Sequence, residues 1–338
     1  MNYSSEELGR QAGILMRTHA LLYYAVSKIL TEEEKFQGGR AVRHWIRIQA
    51  NWRGEEMKKA HTALGMPIDV EHIQRFWDNA LSDFWHRKEG KYTTYDVAMQ
   101  VPSCAYADVW QERDWWMWGH VYCDELHQHI LEKYNPDGVV VIPECLMKGD
   151  AQCDFRWIMP PFAQLKFDDI KPDYDGQDHR KDYLAQTPEE AQKKNIRRGV
   201  RLLGMELYML KKTLAEFFPE KAEALYEEIL KLLAEERAAD LKKFFEHSGE
   251  EWKEFLERNF DIPFTAFDAE YEEDEGMLRI RFRDNPLEEG LDYFGMGKDA
   301  EVFMSTQCIW MNEKEQMPFH LEFKKADDNK GELIVNVV

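Results

Sequence analysis

The sequence predicts an α+β fold: N-terminal helices lead into an antiparallel sheet, and the unit is used twice in tandem. Three observations carry this. Apolar residues recur at helical spacing over long stretches, as in Ile14, Leu15, Leu22, Ala25, Val26 and Ile29. Short strand-like runs bounded by Gly and Pro turns follow the helices instead of alternating with them. The same order then restarts near Arg197. At 338 residues, two domains are the default expectation.

The elements follow in order. A helix covers 12–30, Gly38-Gly39 breaks it, and a second runs over 40–64 with Val42, Trp45, Trp52 and Leu64 on its apolar side. Asp69 is the expected N-cap of a third helix over 70–87. A Trp-rich helix spans 104–118, Gly119 separates it from a helix over 120–133, and Asn135-Pro136-Asp137-Gly138 makes a turn. Val139–Leu146 and Gln152–Ile158 read as two strands joined at Lys148-Gly149-Asp150. The polar, Pro-containing stretch 159–195 reads as a connection, giving domains 1–160 and 196–338 with a linker over 161–195. In the second half, helices are expected over Arg197–Phe217, Glu220–His247 and Glu250–Asn259. Strands are expected near Leu278–Arg283, Ala300–Trp310, Met317–Lys325 and Glu332–Val338.

The halves align. Ala41–Gly65 lines up with Ala224–Gly249, placing Arg53 opposite Arg237 and ending each in Gly. Pro143–Met147 lines up with Thr306–Trp310, and Cys153–Arg156 with Met317–His320. The second half thus reads as a degenerate copy that kept one of the cysteines.

Composition excludes several functions. A net charge of −20 repels phosphate backbones and anionic membranes, so neither nucleic acid nor membrane is an expected partner. No apolar run reaches membrane-spanning length and the N-terminus lacks signal-peptide character, so a cytoplasmic location is expected. Eleven Trp and fifteen Met suit a pocket for a small molecule, the expected partner. The tandem copies suit a homodimer.

Five cysteines are too few for a disulfide framework, yet Cys104, Cys123, Cys145 and Cys153 cluster within residues 104–153. His120, Cys123 and His127 share a helical face. With a three-residue turn at Gly149, Cys145 and Cys153 face each other; with a two-residue turn they point to opposite sides. Three readings follow: a zinc site using His and Cys ligands, a nucleophilic thiol with a histidine base, or buried core thiols. The Trp110–Trp118 run reads as core or as a pocket wall.

Several segments together resemble the L-2-amino-thiazoline-4-carboxylic acid hydrolase family over about residues 12–158. They are Leu21-Leu22-Tyr23-Tyr24-Ala25, Ser103-Cys104-Ala105-Tyr106-Ala107-Asp108-Val109-Trp110, Val121–His127 with Tyr134-Asn135-Pro136, and Cys145 through Gly149-Asp150 to Cys153-Asp154-Phe155. The Gly-turn hairpin with its closing Cys-x-Phe also looks like a small ligand-binding domain of the vinyl-reductase type. The resemblance implies a hydrolase that opens a C–N or C–S bond of a cyclic amidine or isothiourea. Cys153 or Cys145 would be the nucleophile or water-positioning thiol, His127 the base and Asp124 or Glu125 the orienting acid. Cys123, Glu125, Arg156 and Trp110 would line the substrate, with Arg156 clamping a carboxylate. No cofactor is required on this reading, and zinc enters only on the metal reading. A non-catalytic small-molecule binding or sensing module is the alternative.

Overall fold

The computed structural model describes residues 3–78, 85–90, 92–159, 187–260, 269–274, 277–282, 286–314, 319–326 and 330–337. The expected α+β class holds. Helices precede two four-stranded antiparallel sheets with strand orders β1-β2-β4-β3 and β5-β6-β8-β7. Here β1 is Trp85–Glu89, β2 Asp96–Cys104, β3 Val139–Val141 and β4 Cys153–Ile158; β5 is Glu270–Asp274, β6 Met277–Phe282, β7 Phe319–Ala326 and β8 Lys330–Val337. Each sheet is a hairpin, two helices and a second hairpin whose last strand pairs with the second strand. The tandem unit is thus visible as repeated topology.

The chain folds as two compact units. One draws on Met1–Gly39 and Gln186–Val338, the other on Arg40–Asn79 and Phe84–Ala185. A boundary at residue 160, as the sequence suggests, leaves the first 39 residues with the first sheet. Their buried polar groups explain why they belong with the second. In helix α1 (Ser5–Ala63), His19 Nδ1 lies 2.8 Å from Glu206 and Arg17 Nε donates to Asp240 at 2.8 Å. Both partners lie in the helices α5 (Pro188–Phe217) and α6 (Ala222–Ser248) of the second half.

Gly38-Gly39 does not break α1. The kink sits at Lys35 (φ 49°, ψ −122°), and the helix resumes through both glycines. Gly38 serves a close approach instead, because a Cβ there would stand 1.8 Å from the Leu30 carbonyl oxygen. Most of the expected linker, 160–186, lies outside the described residues. Its end is helical: Thr187 and Glu190 form a capping box and Pro188 opens α5, where its missing N–H costs nothing.

In the unit carrying the first sheet, α1 resumes and is followed by α2, which is Val70–Arg75 only. The expected helix over 70–87 is corrected: α2 ends at Arg75, capped by Phe76, and residues 85–89 form β1. The Trp-rich stretch is also two helices, α3 (Ala105–Glu112) and α4 (Trp116–Tyr134). The break is at Asp114 (φ 54°), not Gly119, which lies inside α4 against Trp110 and Met147. The second arm of α1 runs alongside α4 through three successive ties. Arg43 and Arg47 grip Glu125, Gly54 meets Ile130, and His61 Nδ1 lies 2.8 Å from the Tyr134 hydroxyl.

In the other unit, α7 (Trp252–Asn259) follows α6, and α8 (Pro286–Asp292) and α9 (Gly297–Lys314) join the two hairpins. The strand expected at Ala300–Trp310 is therefore helical. Its buried residues Ala300, Phe303, Met304, Gln307, Cys308 and Met311 have the helical period, which outweighs the β-branched and aromatic composition. Two of the three aligned segments fall with it. Pro143–Met147 is a loop and turn whereas Thr306–Trp310 is helix. The topological counterpart of β4 is β8, not the strand at Phe319. The alignment of Ala41–Gly65 with Ala224–Gly249 survives: both are helical, and Gly65 (φ 69°) and Gly249 (φ 66°) both close in the left-handed conformation.

Gly54→Ala should lower stability by about 1–3 kcal/mol. A Cβ there would fall 2.3 Å from the Ile130 carbonyl oxygen, part of the α4 backbone that cannot rotate away. The midpoint of urea unfolding reads this; an unchanged midpoint would refute the close approach.

Candidate active site

The four clustered cysteines converge at one end of the first sheet. Cys104 closes β2 at the head of α3, Cys123 lies on α4, Cys145 precedes a 3-10 turn (Leu146–Lys148), and Cys153 opens β4. The loop 142–152 is shaped by its own backbone. The Cys145 N–H donates to Asp150 Oδ2 at 2.7 Å, and its carbonyl accepts from Lys148 at 2.8 Å and Asp150 at 3.3 Å. Gly149 takes the left-handed turn at φ 89°. Neither hairpin register is realised, because β3 ends at Val141 and Cys145 lies in the loop; the two thiols meet all the same. Cys153 Sγ donates to Cys145 Sγ at 3.9 Å and accepts the Leu146 N–H at 3.3 Å.

The three sulfurs of Cys123, Cys145 and Cys153 form one hydrogen-bonded group. Thiols of Cys123 and then Cys153 donate to Cys145, and the Met147 N–H adds to them, pushing the Cys145 thiol far below its ordinary range. The donors move the other way: losing a proton beside the Cys145 sulfur is costly, so Cys123 and Cys153 stay protonated. The trio gives up its first proton readily and the next two reluctantly. Burial raises Cys104 to about 11, against the N–H groups of Ala107 and Tyr106.

His127 stands on α4, one turn beyond Cys123. Its Nδ1 lies 2.8 Å from the Cys123 carbonyl oxygen, and its ring packs on Phe155 (4.8 Å between centroids) and Trp157 (6.0 Å). Strand alternation puts Cys153, Phe155 and Trp157 on this face of β4. Burial brings the imidazole down to about 4, and nearby Arg53 adds to the effect. A neutral His127 with Nδ1–H on the carbonyl leaves Nε2 as the basic nitrogen. Arg53 is itself buried, with Nε and Nη2 donating to Asp78 at 2.9 and 2.6 Å and its Cζ 5.5 Å from the Trp77 ring centroid. Burial opposes its charge and Asp78 restores it.

The other expected site residues are placed elsewhere. Asp124 is exposed and lies 3.3 Å from His120 on its own helix, so it does not orient His127. Glu125 is buried against Arg43 and Arg47 of α1, which hold its carboxyl below the usual range despite burial. The orienting group of His127 is instead a backbone carbonyl. Arg156 points to the opposite face of β4 and donates to Asp154 at 2.9 Å. Trp110 is wholly buried among Tyr106 and Tyr122, as core. Sequence reasoning missed Cys104 and Arg53 as site residues. Cys104 is legible as one of the four clustered thiols, and Arg53 by its alignment with Arg237. Among the described residues, no group of three or more His, Cys, Asp and Glu is arranged to hold a metal ion, and no helix is long and apolar enough to cross a membrane.

This site lies within a recognisable region. Residues 15–157 match the model of the L-2-amino-thiazoline-4-carboxylic acid hydrolase family. The match covers most of α1, nearly all of the first sheet and all four clustered cysteines. No curated protein and no solved structure matches the chain.

The low imidazole pKa fixes a pH dependence. Above about pH 6.5 His127 is neutral in both folded and unfolded chains and costs nothing. As pH falls from there towards about 4, the unfolded chain takes the proton first, so stability is lost; below about 4 the loss levels off. On the order of 1–3 kcal/mol should disappear across this window. Melting temperatures from pH 7 to 4.5 should therefore drop more steeply for the parent than for His127→Gln. Parallel curves would contradict it.

Proposed function

We propose that this protein hydrolyses a cyclic isothiourea of the 2-amino-thiazoline-4-carboxylate type, with Cys145 as nucleophile. The observation that carries the reading is the arrangement at Cys145: two thiols and one backbone N–H are directed at its sulfur and favour its thiolate form. The family match over the same residues supports the substrate class.

The chemistry balances with the groups present. The Cys145 thiolate adds to the amidine carbon between ring nitrogen and ring sulfur, made electrophilic by protonation of the ring nitrogen. The ring carbon–sulfur bond breaks, and the departing sulfur takes its proton from Cys123 or Cys153, the two thiols already aimed at this point. Water then adds to the same carbon and gives up a proton to His127 Nε2. The Cys145 thiolate leaves, and the product is a carbamoyl-cysteine. His127 suits this second step because its low pKa keeps it unprotonated at neutral pH.

The full chain should open L-2-amino-thiazoline-4-carboxylate, releasing a free thiol that Ellman-type reagents count. Cys145→Ser should lose at least about a hundredfold in turnover while keeping its circular dichroism, and Cys153→Ser should lose less. Iodoacetamide at pH 6 should alkylate Cys145 first, read by peptide mass. A folded Cys145→Ser chain as active as the parent would end the nucleophile assignment. A parent that opens no such ring would favour the small-molecule binding alternative.

A further inference from the structure

We propose that Arg53 recognises the carboxylate of the substrate, in the place that the sequence offered to Arg156; the inference rests on the hydrolase reading above. A thiazoline carboxylate would bring one negative charge among thiols, aromatic rings and a neutral imidazole. Burying that charge without a cationic partner is expensive. Arg156 is on the wrong face of β4, and Arg43 and Arg47 are held by Glu125. Arg53 is the buried guanidinium on the His127 side, beside Trp77, whose ring in turn meets Trp157 at 5.4 Å.

Its hydrogen bonding leaves room for a ligand. Asp78 takes Nε and Nη2. Among the described residues nothing hydrogen-bonds to Nη1. A guanidinium has enough donors to hold Asp78 on one edge and a second carboxylate on another.

The second copy supplies an independent observation. Arg237, opposite Arg53 in the surviving part of the alignment, is also buried, so the fold turns this helical position inward twice. There Nη1 is occupied: it donates to the Gln307 side-chain oxygen of α9 at 2.7 Å. Gln307 is held in turn by donating to the Leu230 carbonyl at 2.8 Å. An amide oxygen of the chain thus sits on Arg237 at the atom left open on Arg53. The copy that kept its cysteines kept this donor for an outside oxygen, and the copy that lost them filled it.

Calorimetric titration tests this on the Cys145→Ser chain, where the ligand is not consumed. The two probes are L-2-amino-thiazoline-4-carboxylate and 2-amino-2-thiazoline, the same ring without the carboxylate. The carboxylate compound should bind about tenfold or more tightly, the size of one charge-assisted hydrogen bond. Adding Arg53→Gln with Asp78→Asn removes both charges without stranding either, and the two compounds should then bind alike, with melting curves confirming the fold. Asp78→Asn alone should widen the preference, because Arg53 loses its internal carboxylate; a purely structural ion pair would weaken both compounds together. A preference that survives the double substitution, or a Cys145→Ser chain that binds both compounds equally or neither, overturns the assignment. Failure of the hydrolase reading looks different: the parent turns over no ring, whatever the binding preference.

Discussion

The site depends on the shortness of β3. Only Val139, Val140 and Val141 pair with β4, opposite Ile158, Trp157 and Arg156. The first half of β4, Cys153 to Phe155, therefore has β2 on one side and no β3 partner on the other. The chain between Val141 and Cys153 fills that gap as a loop, tied in by the Asp154 N–H on the Glu144 carbonyl at 2.9 Å. A longer hairpin would have carried Cys145 along in the ladder. Freed from it, Cys145 turns across the end of β4 and lands on Cys153. The same strand, through alternation, sets Phe155 and Trp157 under His127 and turns Arg156 away.

Helix α4 delivers the remaining groups, and its position is enforced from α1. Close approach at Gly54, the Glu125 cluster and the His61–Tyr134 contact act at successive levels of the two helices. Glu125 thus serves structure although it lies one residue from Asp124 and two from Cys123 and His127. On a helix, neighbours in sequence point in different directions, and residues three or four apart share a face.

That geometry also explains how much is legible in the sequence. Helical periodicity locates both arms of α1, α4, α5, α6 and α7 because their buried faces repeat without interruption. It fails where tertiary context overrides composition. Val302, Phe303, Ile309 and Trp310 favour a strand by propensity, yet the buried set of α9 has helical spacing. Strand β2 contains Pro102, which argues against a central strand; it is accommodated where the pairing with β1 is irregular. At the site, cysteine clustering and the Cys145–Cys153 spacing are legible. Arg53 is not, because in a helix rich in arginines nothing local shows which of them face inward. Only repetition across the halves points to it.

A thiolate at Cys145, held by two neighbouring thiols, would have a consequence for selectivity. Sulfur is polarizable, and that of Cys145 is buried. Such a centre would be soft in the acid–base sense: on the proposed reading it would favour carbon already bonded to sulfur and nitrogen over the phosphorus of a phosphate. Discrimination against phosphates would then reside in the electronic character of the nucleophile itself, before any contact with the rest of the ligand is made.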